Sequence, residues 1–320
     1  MALVLREAEV RSLLAMPDAI DVLEEAFKEF AQGTATNRPR TRIMLANGVM
    51  HVLAAAAPEL GVMGLKTYTV FREGVRFVVM LFSSLDGQLL ALIEADWLGR
   101  IRTGATSGVA TRYLARPDAS VVGMVGAGTQ AHTQLMGVCA VRPQVNTVYV
   151  YSRRLHECDM FCSQMSRERS IEVRPVASAK LAVEDADIVI TATTSPEPVL
   201  YGEWLKPGCH INAIGSNWPN RREIDQLTLQ RSNLIVTDSK EQAIAEAGDL
   251  IIPANEGLLD WSNVYDLADI VAGTGLQRET PDDITLYKGI GIALEDIATA
   301  YHVYALARQQ GIGQELNLLP

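Results

Sequence analysis

Cysteine is scarce in this 320-residue chain and is not spaced to hold a metal. Cys139, Cys158, Cys162 and Cys209 form no CxxC pair, and none has a histidine at zinc-ligand spacing. Cys158 and Cys162 can share a helix face, but two thiols without further ligands make no metal site; reduced, buried thiols are the expectation. The five histidines are scattered and contain no HExxH, so nothing points to metal catalysis. Positive charge is also short: 28 Lys and Arg stand against 38 Asp and Glu, a formal net charge of −10. That balance argues against a surface that tracks nucleic-acid phosphates. No apolar run approaches the ~18 residues of a membrane span. The opening MALVLREAEV carries charges where a signal peptide needs an apolar core, so a cytoplasmic location is expected.

What is present is enough to build a sizeable core. Hydrophobic residues make up 48% and charged residues 21%, the balance of a folded globular chain rather than a disordered one. The length suits about two domains. Early on, Ile20, Leu23, Phe27 and Phe30 repeat at helical spacing between Pro17 and Gly33, which suit the two ends of a helix. Phe77–Phe82 and Leu89–Ile93, separated by the turn-like Ser83–Gly87, read as an antiparallel hairpin. A helix follows over Trp97–Leu114 with Asp96 at its start, weakened by Gly99, Gly104 and Gly108.

The rhythm then changes. Short apolar strands at Ser120–Val125, Thr147–Tyr151, Ile171–Val176, Asp187–Ala192, His210–Ile214 and Leu234–Thr237 alternate with helical stretches. This alternation predicts βαβ units and a doubly wound parallel sheet of Rossmann type. A final helix over Gly291–Gln310 is expected to pack back on the N-terminal part, with no new strand.

The strongest local signal is SVVGMVGAGTQAHTQL. Gly126, Gly128 and Ala131 occupy the three positions of GxGxx(G/A), after a predicted strand and before a predicted helix. Gly126 permits the tight turn, Gly128 lets a pyrophosphate approach the backbone, and Ala131 lets the helix close on the strand. The helix N-terminus offers free N–H groups to the anion. The expected cofactor set here includes Ala127, Thr129 and Gln130. At the end of the next strand Ser152 replaces the acidic residue that would bind a ribose 2′-hydroxyl, and Arg153 and Arg154 follow. A guanidinium can pair with a 2′-phosphate, so NADP(H) is favoured over NAD(H). Thr191, Ala192 and Thr193 end one strand, and Ile214 and Gly215 follow another. Strand ends of such a sheet face the cofactor crevice, and these small residues suit a nicotinamide.

Three cations form a second constellation. Arg40 in RPRT, Lys66 in GLKTYTV and Arg102 in IRTGATSG sit in otherwise uncharged or apolar surroundings. A cation in such a setting faces an anion or solvent. Converging, the three would clamp a small carboxylate. Spacing alone does not establish convergence.

At this point the chain resembles the ornithine cyclodeaminase and mu-crystallin family over essentially its whole length. The matching segments are RPRT at 38–41, GLKTYTVF at 64–71, RTGATSG at 102–108, the Gly126–Ala131 loop, GEWLKPGCHINAIGS at 202–216, REID at 222–225 and ITLYKGIGIALEDIATA at 284–300. The resemblance implies a discontinuous substrate-binding and dimerisation domain of α+β type, residues 1–116 with 291–320. It implies a Rossmann domain at 117–290 and a homodimer built through the N-terminal sheets. It also implies a nicotinamide cofactor and a small α-amino or α-imino acid, the carboxylate held by Arg40, Lys66 and Arg102. Thr103, Lys288 and Gly289 join the expected cofactor residues, while Glu295 and Asp296 are as readily structural.

One departure bears on chemistry. Cyclodeaminases of the family carry an aspartate, proposed to handle protons at the amine, where this chain has Asn217. An amide cannot act as a general base. The expectation is therefore an NAD(P)H-dependent reductase of small α-imino acids, reversible as an amino-acid dehydrogenase. Lys66 and Arg102 are the expected catalytic residues, and Asn217 lies on the substrate side. The alternatives are an ornithine or lysine cyclodeaminase using bound NAD, and a non-catalytic protein that binds NADPH and a small ligand.

Overall fold

A computed structural model describes residues 2–274 and 276–317. The first part of the chain runs β1 (Ala2–Leu5), α1 (Glu7–Leu13), α2 (Met16–Ala31), β2 (Thr36–Leu45), β3 (Gly48–Ala57), β4 (Val62–Phe71), β5 (Gly74–Ser83), β6 (Leu89–Glu94) and α3 (Asp96–Leu114). Next come β7 (Val121–Val125), α4 (Thr129–Val141), β8 (Thr147–Tyr151), α5 (Leu155–Arg169), β9 (Glu172–Pro175), α6 (Ala179–Val183) and β10 (Ile188–Thr191). They are followed by β11 (His210–Ala213), α7 (Gln226–Arg231), β12 (Ser232–Thr237), α8 (Lys240–Glu246), α9 (Gly248–Asn255), β13 (Val264–Asp266), α10 (Leu267–Val271) and β14 (Ile284–Lys288). The chain ends with α11 (Ala293–Gln310) and β15 (Gln314–Leu316). Two compact units result: Met1–Ala105 with Gly291–Pro320, and Thr106–Ile290. The division falls inside α3.

The first unit is a seven-stranded sheet in the order β15-β1-β6-β5-β4-β3-β2. β2 to β6 pair antiparallel, and β1 adds parallel to β6. Along β3 burial alternates strictly, with Val49, His51, Leu53, Ala55 and Ala57 inward. A period of two sends that set to one face. The register places Tyr68 opposite His51 and Lys66 opposite Leu53, so Lys66 lies on the same covered face. α11 packs against β3 and β4, and against α2. α2 contributes Met16, Ile20, Leu23 and Phe27, all buried.

Sequence patterning predicts no strands over β2 to β4, and β2 explains the difficulty. It holds Pro39 and three arginines, a poor strand signal. It is an edge strand, and its register shifts between Arg38 and Thr41. Edges and bulges are where a strand tolerates proline. The expected absence of a strand after the last helix is corrected by β15, whose three residues pair antiparallel with β1.

The second unit is an eight-stranded, wholly parallel sheet in the order β13-β12-β14-β11-β10-β7-β8-β9. β8 and β9 extend from one side of β7, and β10 and β11 from the other. This is the doubly wound pattern, with its switch point between β7 and β10. Apolar cores cover both faces. Val189, Ile211 and Leu286 belong to one, and Ile188, Ile190, Val122 and Val148 to the other. Strands covered on both sides read as short continuous apolar runs, which is why the alternating strand–helix rhythm is visible in sequence. β14 escapes that pattern because Thr285 and Lys288 interrupt its run, although both are fully buried. The four cysteines are unpaired; Cys158, Cys162 and Cys209 are buried and Cys139 is half-buried.

Candidate active site

In the second unit the Gly126–Ala131 loop joins β7 to α4, as the motif requires. Gly126 has φ +109°, and a Cβ there would lie 2.5 Å from the Ala192 carbonyl oxygen. Only glycine allows this turn to pass so close to the end of β10. At Gly128 a Cβ would meet nothing within 4 Å. Gly128 is the N-cap of the 13-residue α4 and makes no side-chain cap bond. The loop thus presents exposed backbone N–H groups at a helix N-terminus, a setting that fits a pyrophosphate. Gly128 and Thr129 are exposed, Ala127 and Gln130 half-buried, and Ala131 fully buried against the strand.

Ser152 follows β8 directly. Its Oγ accepts a hydrogen bond from the Arg154 backbone N–H at 3.4 Å. Arg154 pairs with Glu157 at 2.7 Å, both well exposed. Arg153 is exposed and forms no ion pair among the described residues.

The ends of β10 and β11 are tied together by residues that sequence reasoning missed. Glu223 is fully buried. It accepts hydrogen bonds from Thr191 Oγ1 (2.8 Å), the Thr193 amide (2.6 Å), Thr193 Oγ1 (2.7 Å) and the Gly215 amide (2.6 Å). Asp249 accepts from the Glu223 amide at 2.6 Å and pairs with Lys288 Nζ at 2.9 Å. Burial pushes the Glu223 carboxyl above its ordinary pKa, and the Lys288 ammonium opposes that shift.

Two expected cofactor residues therefore have their side chains committed elsewhere. Lys288 is fully buried; besides Asp249, its Nζ donates to the Ser216 carbonyl at 2.7 Å. The Thr191 hydroxyl points inward to Glu223. Thr193, Ile214 and Gly215 remain half-buried at the strand ends, with Ala192 beside them. Gly289 donates its N–H to the Ala213 carbonyl at 3.1 Å, and a Cβ on it would press Ile214 Cδ1 at 2.7 Å. Asn217 is half-buried in the loop beyond β11.

In the first unit the three cations converge. Lys66 Nζ lies 2.8 Å from Asp296 Oδ1, and Arg102 Nε lies 2.9 Å from the same oxygen. Arg102 Nη1 is 2.5 Å from Glu295 Oε2, and Arg40 Nη2 donates to the Gly291 carbonyl at 2.8 Å. Gly291 has φ +76°, and a Cβ on it would stand 2.6 Å from Arg102 Nη1. Glycine thus allows Arg102 to approach the turn entering α11. Gly99, which weakens the predicted α3, has a use as well: a Cβ there would sit 3.2 Å from Lys66 Nζ. Thr103 donates its hydroxyl to the Gly99 carbonyl at 2.7 Å, one helical turn back.

Glu295 and Asp296, in the first turn of α11, are the counter-ions of the cluster. Their place at a helix N-terminus favours their negative charge. With Arg40, three cations gather beside the two carboxylates. Burial lowers the Lys66 pKa to about 8; Asp296 opposes this and Arg102 adds to it. His51 was not singled out from sequence. Its ring stacks on Tyr68 at 4.2 Å, and burial, with Arg40, Arg42 and Lys66, lowers its pKa to about 4. It is neutral at neutral pH and adds no charge to the cluster.

Comparison with known proteins matches the chain over nearly its whole length. The sequence profile of the Ornithine cyclodeaminase/mu-crystallin family covers residues 1–311. A Delta(1)-pyrroline-2-carboxylate reductase of Bacillus cereus is 34% identical over 325 residues, covering 98% of this chain and 99% of that protein. The structure of the Thermococcus litoralis Delta(1)-pyrroline-2-carboxylate reductase, in complex with NADH and L-proline, superposes with a TM-score of 0.94 at 38% identity. It covers 98% of this chain and 100% of that one. An archaeal alanine dehydrogenase dimer with bound NAD gives a TM-score of 0.93 at 31% identity, covering 99% of each chain. A family profile spanning nearly all of the sequence, relatives that share it from end to end, and a glycine loop in its strand–helix setting agree: this chain belongs to the ornithine cyclodeaminase/mu-crystallin family.

Proposed function

We propose that the protein is an NAD(P)H-dependent oxidoreductase that reduces small α-imino acids to α-amino acids and runs in reverse as an amino-acid dehydrogenase. Delta(1)-pyrroline-2-carboxylate is the substrate we place first, because relatives that share the chain from end to end carry that activity in their names. The observation that carries the reading is the convergence of Arg40, Lys66 and Arg102 beside the first turn of α11, a set of three cationic side chains suited to one substrate carboxylate. The guanidinium forks orient that carboxylate and the ammonium adds a point charge. Fixing the substrate in one orientation lowers the barrier by removing rotational freedom before reaction. Lys66, with its pKa lowered to about 8, still carries its proton at neutral pH and is suited to deliver it to the imine nitrogen. The dinucleotide, when bound, supplies the hydride for reduction and accepts it in the reverse direction.

The fit to that cofactor rests on the open backbone at Gly128, the close turn at Gly126 and the small residues ending β10 and β11. Preference for NADPH over NADH rests on Ser152 and the exposed Arg153 and Arg154. Arg153→Ala is expected to weaken NADPH about tenfold while changing NADH little, as loss of one charge-assisted contact to a 2′-phosphate requires. Fluorescence titration with both cofactors checks this, and equal effects would remove the 2′-phosphate assignment.

A homodimer through the sheet of the first unit fits the exposed Ile43, Met44 and Leu45 at the β2–β3 hairpin. The unpaired thiols suit a reducing cytoplasm. The deciding assay mixes purified protein and NADPH or NADH with Delta(1)-pyrroline-2-carboxylate, then with pyruvate plus ammonia or methylamine. Loss of the reduced-cofactor absorbance supports the reductase. Proline formed from ornithine without net cofactor change would favour a cyclodeaminase, and tight cofactor binding without turnover a binding protein.

A further inference from the structure

Glu223 lies outside every role assigned above, yet its surroundings are unusual for a carboxylate. It is fully buried and accepts four hydrogen bonds from the end of β10 and the loops that follow β10 and β11. One oxygen takes the amide and hydroxyl of Thr193; the other takes the Thr191 hydroxyl and the Gly215 amide. Each oxygen faces one backbone amide, which can only donate, so both must accept; a carboxylate supplies two such oxygens and a side-chain amide only one. The loops are drawn close together. A Cβ on Gly215 would lie 2.2 Å from the Thr193 carbonyl oxygen and 2.3 Å from Glu223 Oε1. Glu223 is itself fixed by Asp249 at its amide, Asp249 by Lys288, and Lys288 by the Ser216 carbonyl. The chain of contacts closes on the same β11 loop.

We infer that Glu223 is a positioning residue for the nicotinamide end of the dinucleotide, setting the spacing of Thr191–Thr193 against Ala213–Gly215 without touching the substrate. The inference rests on the dinucleotide reading made above. It differs from a merely structural role in one measurable respect. A structural residue affects folding, and with it binding of any part of the cofactor. A clip on these two loops affects only the part that rests on them, and leaves the Gly126–Ala131 loop and the Ser152–Arg154 segment as they are.

The test compares NADPH with 2′-phospho-ADP-ribose, which lacks only the nicotinamide, and NADH with ADP-ribose. In Glu223→Gln one acceptor oxygen becomes a donor facing donors. NADPH and NADH are expected to bind about tenfold more weakly or worse, with the truncated ligands unchanged within about twofold. At saturating ligands kcat falls as well. Thr193→Val, which removes one hydroxyl and keeps the side-chain shape, is expected to lose selectively in the same direction by about threefold, and decides the matter if Glu223→Gln does not fold. Equal weakening of whole and truncated ligands, or no weakening of either, overturns the inference and leaves dinucleotide binding standing. Failure of the unaltered protein to bind any of the four ligands overturns the dinucleotide reading and this inference with it.

Discussion

Alanine at Arg102 is expected to lower kcat/KM for the imino acid by roughly a hundredfold to a thousandfold, while cofactor affinity stays within about twofold. Arg102 is the hub of the cationic cluster: it bonds Glu295 at 2.5 Å and Asp296 at 2.9 Å and packs against Gly291. Removing it takes away one of the three cations proposed to hold the substrate carboxylate. It also removes the guanidinium that pairs with both buried carboxylates, Glu295 and Asp296. Breaking a buried pair in this way costs about 3–5 kcal/mol, a large share of an ordinary stability of about 5–15 kcal/mol. A lower melting temperature should therefore accompany the lost activity, and dinucleotide titration separates the two effects. Arg102→Lys restores charge but not the planar fork, so it should recover stability more fully than turnover. Wild-type kinetics in a folded Arg102→Ala would remove the clamp from the account.

The second large effect concerns Lys66. With its pKa lowered to about 8 by burial, against the pull of Asp296, the ammonium is protonated below that pH and neutral above it. Imine reduction needs a proton delivered to nitrogen, so its rate should hold below pH 8 and fall as pH rises through the Lys66 pKa. Amino-acid oxidation needs the neutral amine as base and should rise over the same window. Lys66→Met is expected to cost about 10²–10⁴ in kcat and to abolish both limbs. Lys66→Arg keeps the charge without the accessible pKa, so it should hold the substrate and lose the pH dependence. Flat profiles in the unaltered protein would assign Lys66 a purely electrostatic part.

How much of this could be read from the residues themselves depends on the distance over which each feature acts. The dinucleotide loop was legible because its signal is local: β7, the glycines and α4 follow one another in a single stretch, and steric rules tie them together. The same holds for the β5–β6 hairpin and for the strands covered on both faces. β2 was illegible because its proline and arginines match no strand pattern, and only pairing with β3 makes it one. The role of Glu223 was hidden although REID was noticed, because its partners at Thr193 lie 30 residues away in another loop.

By itself the sequence determined the alternation of strand and helix, the glycine turn that can receive a pyrophosphate, and the scarcity of anything that could bind a metal. Those follow from periodicity and backbone sterics, which act between near neighbours. The tertiary structure alone decided that Lys66 meets Asp296 across 230 positions, Arg102 the same residue across 194, and Arg40 the Gly291 carbonyl across 251. Charges so far apart in the chain come within bonding distance only when a sheet and its covering helix close over them. Their energy then depends on burial and on each other, quantities that residue spacing does not contain.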